Sequence, residues 1–452
     1  MDKNLSRRRF LKASLGVTAG LAATQLLSAC QPEPPKPATG AAGQPAAAGK
    51  PATISVWMGT DYVPTTNAGL KARWDEVGKA NNITVNFDEK TGNWIDQLIA
   101  AVQAGNPPDF CGLYDFQVQF FRSQDQSVDL TDLVKPFAGK EGGYYDYVEA
   151  TCVWKGQWWA SPWAVSCWPL HARQDMLDKE NGGKWPANWD EFIKVSKAVN
   201  KPPNFYAFGY ALGRTADTNN HFLGTLWTFG GQLQNPDGTF GVKEKDPAWI
   251  ETLELTKKMY LDEKIIPPGA VSWVDSDNNT NYQGEQVAWT SNPTSIYVWL
   301  EANKPDLAKK TTFYGYPKGP KGSFGQVDVR AFNIFKATKA MDATKKILDG
   351  LLDPDWQKKF IADGKGRFVS VYKNHINEPM WQSGVFKNYA EEAKTGKLVA
   401  WAAQPWPAYS DITTNFLLGD LVQDVVVRKE ATDKALATFI GKANALYAKY
   451  KI

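Results

Sequence analysis

The chain has 452 residues, 22% charged and 13% aromatic, with a formal charge of +3 at pH 7. Five of its cations, Lys3, Arg7, Arg8, Arg9 and Lys12, stand with Asp2 at the very start, and subtracting that +4 leaves about −1 for everything after it. A body so close to neutral, without blocks of like charge, has no electrostatic footprint for nucleic acid, and its length allows roughly three units of about 150 residues or fewer, larger ones.

Residues 1–29 read as an export signal. SRRRFLK, Ser6 to Lys12, is similar to a twin-arginine signal, and the stretch Ala13 to Ala29 is too short and too rich in small residues for a stable membrane span. Leu27-Ser28-Ala29-Cys30 resembles a bacterial lipobox, which implies acylation of Cys30 and a lipid anchor. Residues 30–52 are almost all Pro, Ala, Gly, Gln and Lys, a composition that cannot bury enough apolar surface to offset chain entropy, so they form a tether. The folded body is expected from Thr53. Its three cysteines, Cys111, Cys152 and Cys167, allow one disulfide with one thiol over, or three buried thiols.

Ala52 to Gly59 has the pattern of a strand, Gly69 to Asn81 of a helix, and Asn82 to Glu89 of a second strand with period-two alternation. A helix from Trp94 to Ala104 closes at Gly105, and a third strand follows from Asp109 to Tyr114. This β-α-β-α-β order predicts a parallel sheet flanked by helices. After a hairpin at Trp154 to Gln157, the run Trp159 to Leu170 is extended. Asn188 starts a helix with Glu191 as its capping-box partner and Phe192, Val195 and Val199 on one face. Further helices are expected at Pro247 to Leu261, Lys339 to Leu352, Trp356 to Ala362 and Thr432 to Tyr450, with strands near Val287 to Thr290 and Phe332 to Phe335.

The composition is unusual in one respect: 19 Trp, 17 Tyr and 22 Phe, many in turn-rich or polar surroundings such as KGQWWASPWAVSCW, AWTSNPTSIYVW and AAQPWPAYSD. Exposed aromatic faces with polar edges suit sugars.

Several passages, in order, resemble one family. They are WMGTD, AGNPPDF, SPWAVSCWPL, PANWDEF, GEQVAWTSNP, the run from FYGYPKGP to DGLLDPDWQKKF, and WPAYSDI. Together they are similar to the extracellular solute-binding proteins of bacterial ABC importers, in their sugar-binding branch. The resemblance implies an α/β fold of two lobes (type II), each an open sheet flanked by helices, with the ligand cleft between them. It places 53–164 and 312–364 in one lobe and 165–311 and 365–452 in the other. It implies a carbohydrate ligand, delivery to ABC permease subunits, a monomeric protein at the outer face of the membrane or in the periplasm, and no catalytic step, cofactor or metal. Carried over residue by residue, it points to Asp61, Tyr62, Trp94, Tyr114, Asp115 and Trp163, and from the other side of the cleft to Trp227, Trp289, Asn292, Trp406 and Tyr409. Asp328 and Arg330 either reach the cleft or pair with each other. The chain departs from the pattern at Ser166, Ala172-Arg173 and Pro293-Thr294-Ser295.

Other chemistry finds less support. Asp275 to Glu285 has oxygens at the first, third and fifth positions of a calcium loop but Thr280 at the sixth, which needs glycine, and Gln286 at the twelfth, so it reads as a helix start. His171, His221 and His375 are too dispersed for a metal or triad signature. The alternatives are the same fold binding a peptide or phosphate ester, and a secreted glycan-degrading enzyme.

Overall fold

The computed structural model describes residues 51–92, 94–401 and 404–450; the leader, the lipobox with Cys30 and the tether as far as Lys50 lie outside the described residues. The strands are β1 (Ala52–Gly59), β2 (Ile83–Lys90), β3 (Phe110–Tyr114), the hairpin β4 (Val153–Trp154) and β5 (Gln157–Trp158), β6 (Ser161–Cys167), β7 (Leu170–Arg173), β8 (Tyr206–Phe208), β9 (Val287–Ser291), β10 (Thr311–Tyr314), β11 (Gln326–Ile334) and β12 (Lys397–Leu398). Helices α1 (Pro64–Asn81) and α2 (Trp94–Gln103) connect the first three strands, and α3 (Asp115–Ser123) starts directly from the end of β3.

Two sheets organise the body. The larger has the order β12-β11-β3-β1-β2, with β6 also paired to β11; the smaller has the order β10-β7-β9-β8. In the larger sheet β1, β2 and β3 are parallel, as the strand-helix alternation requires, while β11 runs antiparallel to β3 and β6. Arg330 therefore pairs with Tyr114, and Asp328 with Ser166. This register brings the polar start of β11 to the same edge as the ends of β1, β3 and β6, where open α/β sheets bind ligands.

The period-two pattern of β1 buries Ile54, Val56 and Met58. Trp74 of α1 meets Phe87, Phe110 and Phe332 edge-on at 5.2–5.8 Å, tying the helix to three strands. At the helix Trp189–Val199, the Asn188 side chain accepts from the Glu191 amide at 2.9 Å, while the Glu191 carboxylate reaches the amide of Ala187, one residue before the cap. Phe192, Val195 and Val199 are buried on its inner face.

The expected lobe boundaries need adjustment. Val165 to Cys167 belong to β6 of the larger sheet, and β10 pairs with β7 in the smaller one, so residues 312–314 lie with the second sheet. Phe368, Val371, Trp381, Tyr389 and Leu398 pack in the first core, whereas the second core resumes at Val399. The apolar runs continue through these crossings, which hides them from a pattern reading. The extended run after Trp159 is likewise broken at Trp168-Pro169 into β6 and β7. The three body cysteines are free and buried. Among the described residues no helix is long and apolar enough to cross a membrane.

Candidate functional site

The turn after β1 carries Asp61, and its carboxylate is already engaged. Arg367 grips it twice, Nε to Oδ1 at 3.0 Å and Nη2 to Oδ2 at 2.7 Å, while the Val63 amide and the Thr66 hydroxyl donate to Oδ1. The pair is nearly sealed, with side-chain exposures of 8% for Asp61 and 3% for Arg367. Burial pushes the Asp61 carboxyl up, but Arg367, the Val63 amide and Arg330 outweigh it and hold the group below the ordinary carboxylate value. Asp61 thus ties the first loop to the chain after the Pro354–Asp363 helix. It is not a free acceptor for a ligand.

Next along the same edge, Arg330 of β11 lies over the Tyr114 ring at 3.7 Å and pairs with Asp328 at 2.6 Å, without hydrogen-bond alignment. Trp168 Nε1 donates to the other Asp328 oxygen at 2.8 Å. Asp115, the first residue of α3, is fully buried, and neither of its carboxylate oxygens has a hydrogen-bond partner. Burial and the nearby Asp328 raise its pKa to about 8, against the smaller opposing effects of the Phe116 amide and Arg330. Tyr409, on the helix Pro407–Thr414, closes this region; Phe116 stacks on Tyr114 and meets the Tyr409 ring edge-on.

The second sheet supplies the facing group. Asp217, near the start of the helix Ala216–Phe229, is 2% exposed. Burial, followed by the effect of nearby Asp275, pushes it well above the ordinary carboxylate value. Asn292, just past β9, donates to Asp217 at 3.4 Å and also to Asn279. The Tyr62 hydroxyl, from the first loop, donates to Asp275 Oδ2 at 2.6 Å and so joins residues of the two sheets. Burial, then Asp275, raise the Tyr62 phenol. Underneath, His221 accepts from the Ala211 amide through Nδ1, which leaves Nε2–H to donate to the Ser291 carbonyl at 2.8 Å.

Beside this network lies a cavity of about 140 Å³ lined by Tyr62, Ser276, Asn279, Thr280, Gln283, Ser295 and Trp299. Tyr62 is 51% exposed and Trp299 37%. Two accessible rings and five hydroxyl or amide side chains are the complement of a small polyhydroxylated ring.

Of the residues expected in the site, the structure brings together Asp61, Tyr62, Tyr114, Asp115, Asn292, Asp328, Arg330 and Tyr409. Four tryptophans lie in apolar packing instead. Trp163 stacks on Phe332 and meets Phe360 and Phe368; Trp289 packs against Trp185 and Phe192 and donates to Ser196; Trp227 is fully buried near Trp401; Trp406 is buried against Trp154. Trp163 and Trp289 lie in strands, Trp227 in the helix Ala216–Phe229 and Trp406 just before the helix Pro407–Thr414, and in each place burial of a large apolar surface outweighs exposure to a ligand. Trp94 is buried beside Gly59, where a Cβ would lie 2.8 Å from its Nε1. Sequence reasoning missed Asp217, Asp275, Asn279 and Trp299. Polar Asp217 to Asn220 inside a helix that also carries Phe222 and Leu223 was the available signal, as was Trp299 off the buried face set by Ile296 and Leu300. Among the described residues no group of three or more His, Cys, Asp or Glu is placed to hold a metal, and Asp275 to Glu285 includes the helix Asp277–Gln283.

The model of a family of bacterial extracellular solute-binding proteins matches residues 72–386. The chain belongs to this family. A Brucella abortus (strain 2308) chain named as a binding protein is 24% identical over 405 residues, 83% of this solute-binding protein and 94% of that relative. Two solved structures share the fold. The maltose-bound T. maritima MalE3 superposes with a TM-score of 0.76 at 18% identity, covering 87% of this chain and 100% of that one. A tagatose-bound ABC transporter solute-binding protein from Thermotoga lettingae TMO does so at 0.73 and 20%, covering 88% and 100%. The fold is the two-lobed one of sugar-binding members.

Proposed function

We propose that this solute-binding protein captures a carbohydrate in the cleft between its sheets and delivers it to the permease of an ABC importer. It does so as a monomer held at the outer face of the membrane by a lipid on Cys30. The reading rests on one observation above all: exposed Tyr62 and Trp299 line a cavity otherwise walled by Ser276, Asn279, Thr280, Gln283 and Ser295. Rings supply affinity through stacking, and the polar wall supplies identity, because a wrong epimer leaves a buried polar group unpaired at about 1–3 kcal/mol. Sugars bound by solved relatives, maltose and tagatose among them, agree with this class.

Hydrolysis of the ligand is disfavoured. The family is one of extracellular solute-binding proteins, and capture and release of a solute need no covalent step. A panel of mono-, di- and oligosaccharides tested by thermal shift and tryptophan fluorescence checks the reading. A ligand at 100 times its Kd adds about 2.7 kcal/mol of stability. Silence across the sugars, with a response to peptides or phosphate esters, would replace the carbohydrate with a non-sugar solute.

A further inference from the structure

We propose that the chain carries a second binding site, apart from the cavity at Tyr62 and Trp299, which takes a small neutral aromatic molecule with one hydroxyl, a monophenol, at His375 and Trp381. The site is a cavity of about 180 Å³ drawn from the helix Pro354–Asp363 and from residues 370–381, and it shares no lining residue with the cavity at Tyr62. Ile361, Ala362, Pro379, Met380 and Trp381 give it apolar walls, and Ile361 and Trp381 belong to the first core. A cavity of about 150 Å³ between apolar side chains holds a benzene molecule, so this one admits a six-membered ring with a small substituent. Trp381 is fixed from behind: it stacks on Tyr389 at 6.0 Å and meets Phe386 edge-on at 5.7 Å. The Met380 thioether suits the edge of an aromatic guest.

The hydrogen bonds around His375 specify what that ring must carry. Gln357 is fully buried, and its Nε2 donates to the Leu351 carbonyl at 3.0 Å, which leaves its Oε1 as an acceptor. The Ser370 hydroxyl donates its proton to that oxygen at 3.3 Å. Having spent its proton, Ser370 Oγ accepts, from the Tyr372 amide at 3.2 Å and from His375 Nδ1–H at 2.8 Å. A neutral imidazole with its proton on Nδ1 has a lone pair on Nε2. Burial, then Lys358, lowers the His375 pKa and keeps the ring neutral. His375 lines the cavity at 3% exposure, and its Nε2 is buried with no partner among the described residues. Native interiors seldom leave such an atom unmet, and the group that meets it is a single O–H donor. The two charged residues of the lining, Lys358 and Glu378, pair at 3.3 Å and cancel, so an ionic guest finds no net charge to offset its desolvation. A sugar would turn several hydroxyls toward apolar walls at the same cost.

The test is isothermal titration of the full chain at pH 7.5 with phenol, with anisole, which keeps the ring and lacks the donor, and with benzoate. Imidazole nitrogen resonances are followed in parallel; the chain has only three histidines. The expected result is one phenol per chain, bound about 2–10-fold tighter than anisole, the value of one hydrogen bond, with a shift of the His375 Nε2 resonance and no binding of benzoate. His375→Leu should bring the ratio of phenol to anisole affinity to about one. Should that variant melt too early to titrate, Ala362→Phe, at an exposed lining position, fills the cavity from its rim; it should abolish phenol binding and leave the response to the sugar panel unchanged. Phenol binding that survives Ala362→Phe, or that leaves Nε2 unmoved, would overturn the proposal. So would anisole binding as tightly as phenol, or no binding of either ring, in which case the cavity holds water only. The carbohydrate reading stands or falls separately, on the sugar panel.

Discussion

Arg367→Met isolates the buried ion pair at the base of the cleft. The methionine keeps most of the apolar stem and removes the guanidinium, leaving Asp61, at 8% side-chain exposure, with only the Val63 amide and Thr66 hydroxyl. Breaking a buried pair from one side costs about 3–5 kcal/mol, because the other charge stays desolvated. For a chain of this size, at about 2 °C per kcal/mol, that lowers Tm by about 6–10 °C. The sign of the pH dependence sharpens the test. In the wild type the Asp61 pKa is lowered, so its contribution is fully present above the unfolded carboxylate value of about 3.9 and is lost as pH falls through the lower folded value. In the variant, burial acts without the arginine and raises the same carboxyl, so the penalty is largest near neutrality and is relieved toward pH 4. Urea unfolding followed by tryptophan fluorescence at pH 4.5 and 7.5 should show the gap between the two proteins narrowing at the lower pH. Asp61→Asn in the Arg367→Met background should recover most of the loss. A gap under about 1 kcal/mol at pH 7.5, or one that does not change with pH, would refute the reasoning.

Four further outcomes follow from the same geometry. Tyr62→Phe removes the 2.6 Å hydrogen bond to Asp275 that joins the two sheets; at a half-exposed site this is about 1.5 kcal/mol, and the radius of gyration of the unliganded protein in solution scattering should rise. Trp299→Ala should weaken sugar binding by about 2–10-fold, the value of one stacking contact of about 0.5–1.5 kcal/mol, with the melting temperature almost unchanged. Trp163→Ala should do the reverse: it empties a packed site among Phe332, Phe360 and Phe368 and costs about 3–5 kcal/mol of stability in a denaturant titration. Asp115→Asn tests the raised carboxyl. Because the folded pKa, about 8, lies above the unfolded one, the wild type loses stability as pH climbs from about 4 to 8, and the Asn variant should show a flatter profile in melts at pH 5 and 8.5.

Much of the fold was legible because local signals and burial agree. The β1 pattern, the Pro/Gly-punctuated strand-helix order and the Asn188 cap each have one reading; the larger sheet uses the first two, and the helix under the Asn188 cap packs in the second core. What failed to show were passages apolar on both faces. SPWAVSC is buried at every position of β6, so its aromatic ring gives no alternation from which to tell a core residue from a ligand platform. The same ambiguity moved the crossings at β6 and β10, since a chain that passes from one covered sheet to another changes neither composition nor period.

The site was half legible for a different reason, which concerns partners and not positions. Asp61 was expected as a ligand acceptor by resemblance, and Asp328 and Arg330 either to reach the cleft or to pair with each other; they pair, and whether a carboxylate is free to meet a ligand depends on which cation reaches it through space. Arg367 lies 306 residues from Asp61, and nothing in either segment announces the other. A buried carboxyl that the sequence reading passed over is Asp217, in a helix whose first turns, ADTNNH, put polar side chains where the helix is buried. Buried polar groups persist when something satisfies them. Asn292 meets Asp217 at 3.4 Å and also donates to Asn279, a network assembled from segments 75 and 13 residues apart that no reading of one segment at a time displays.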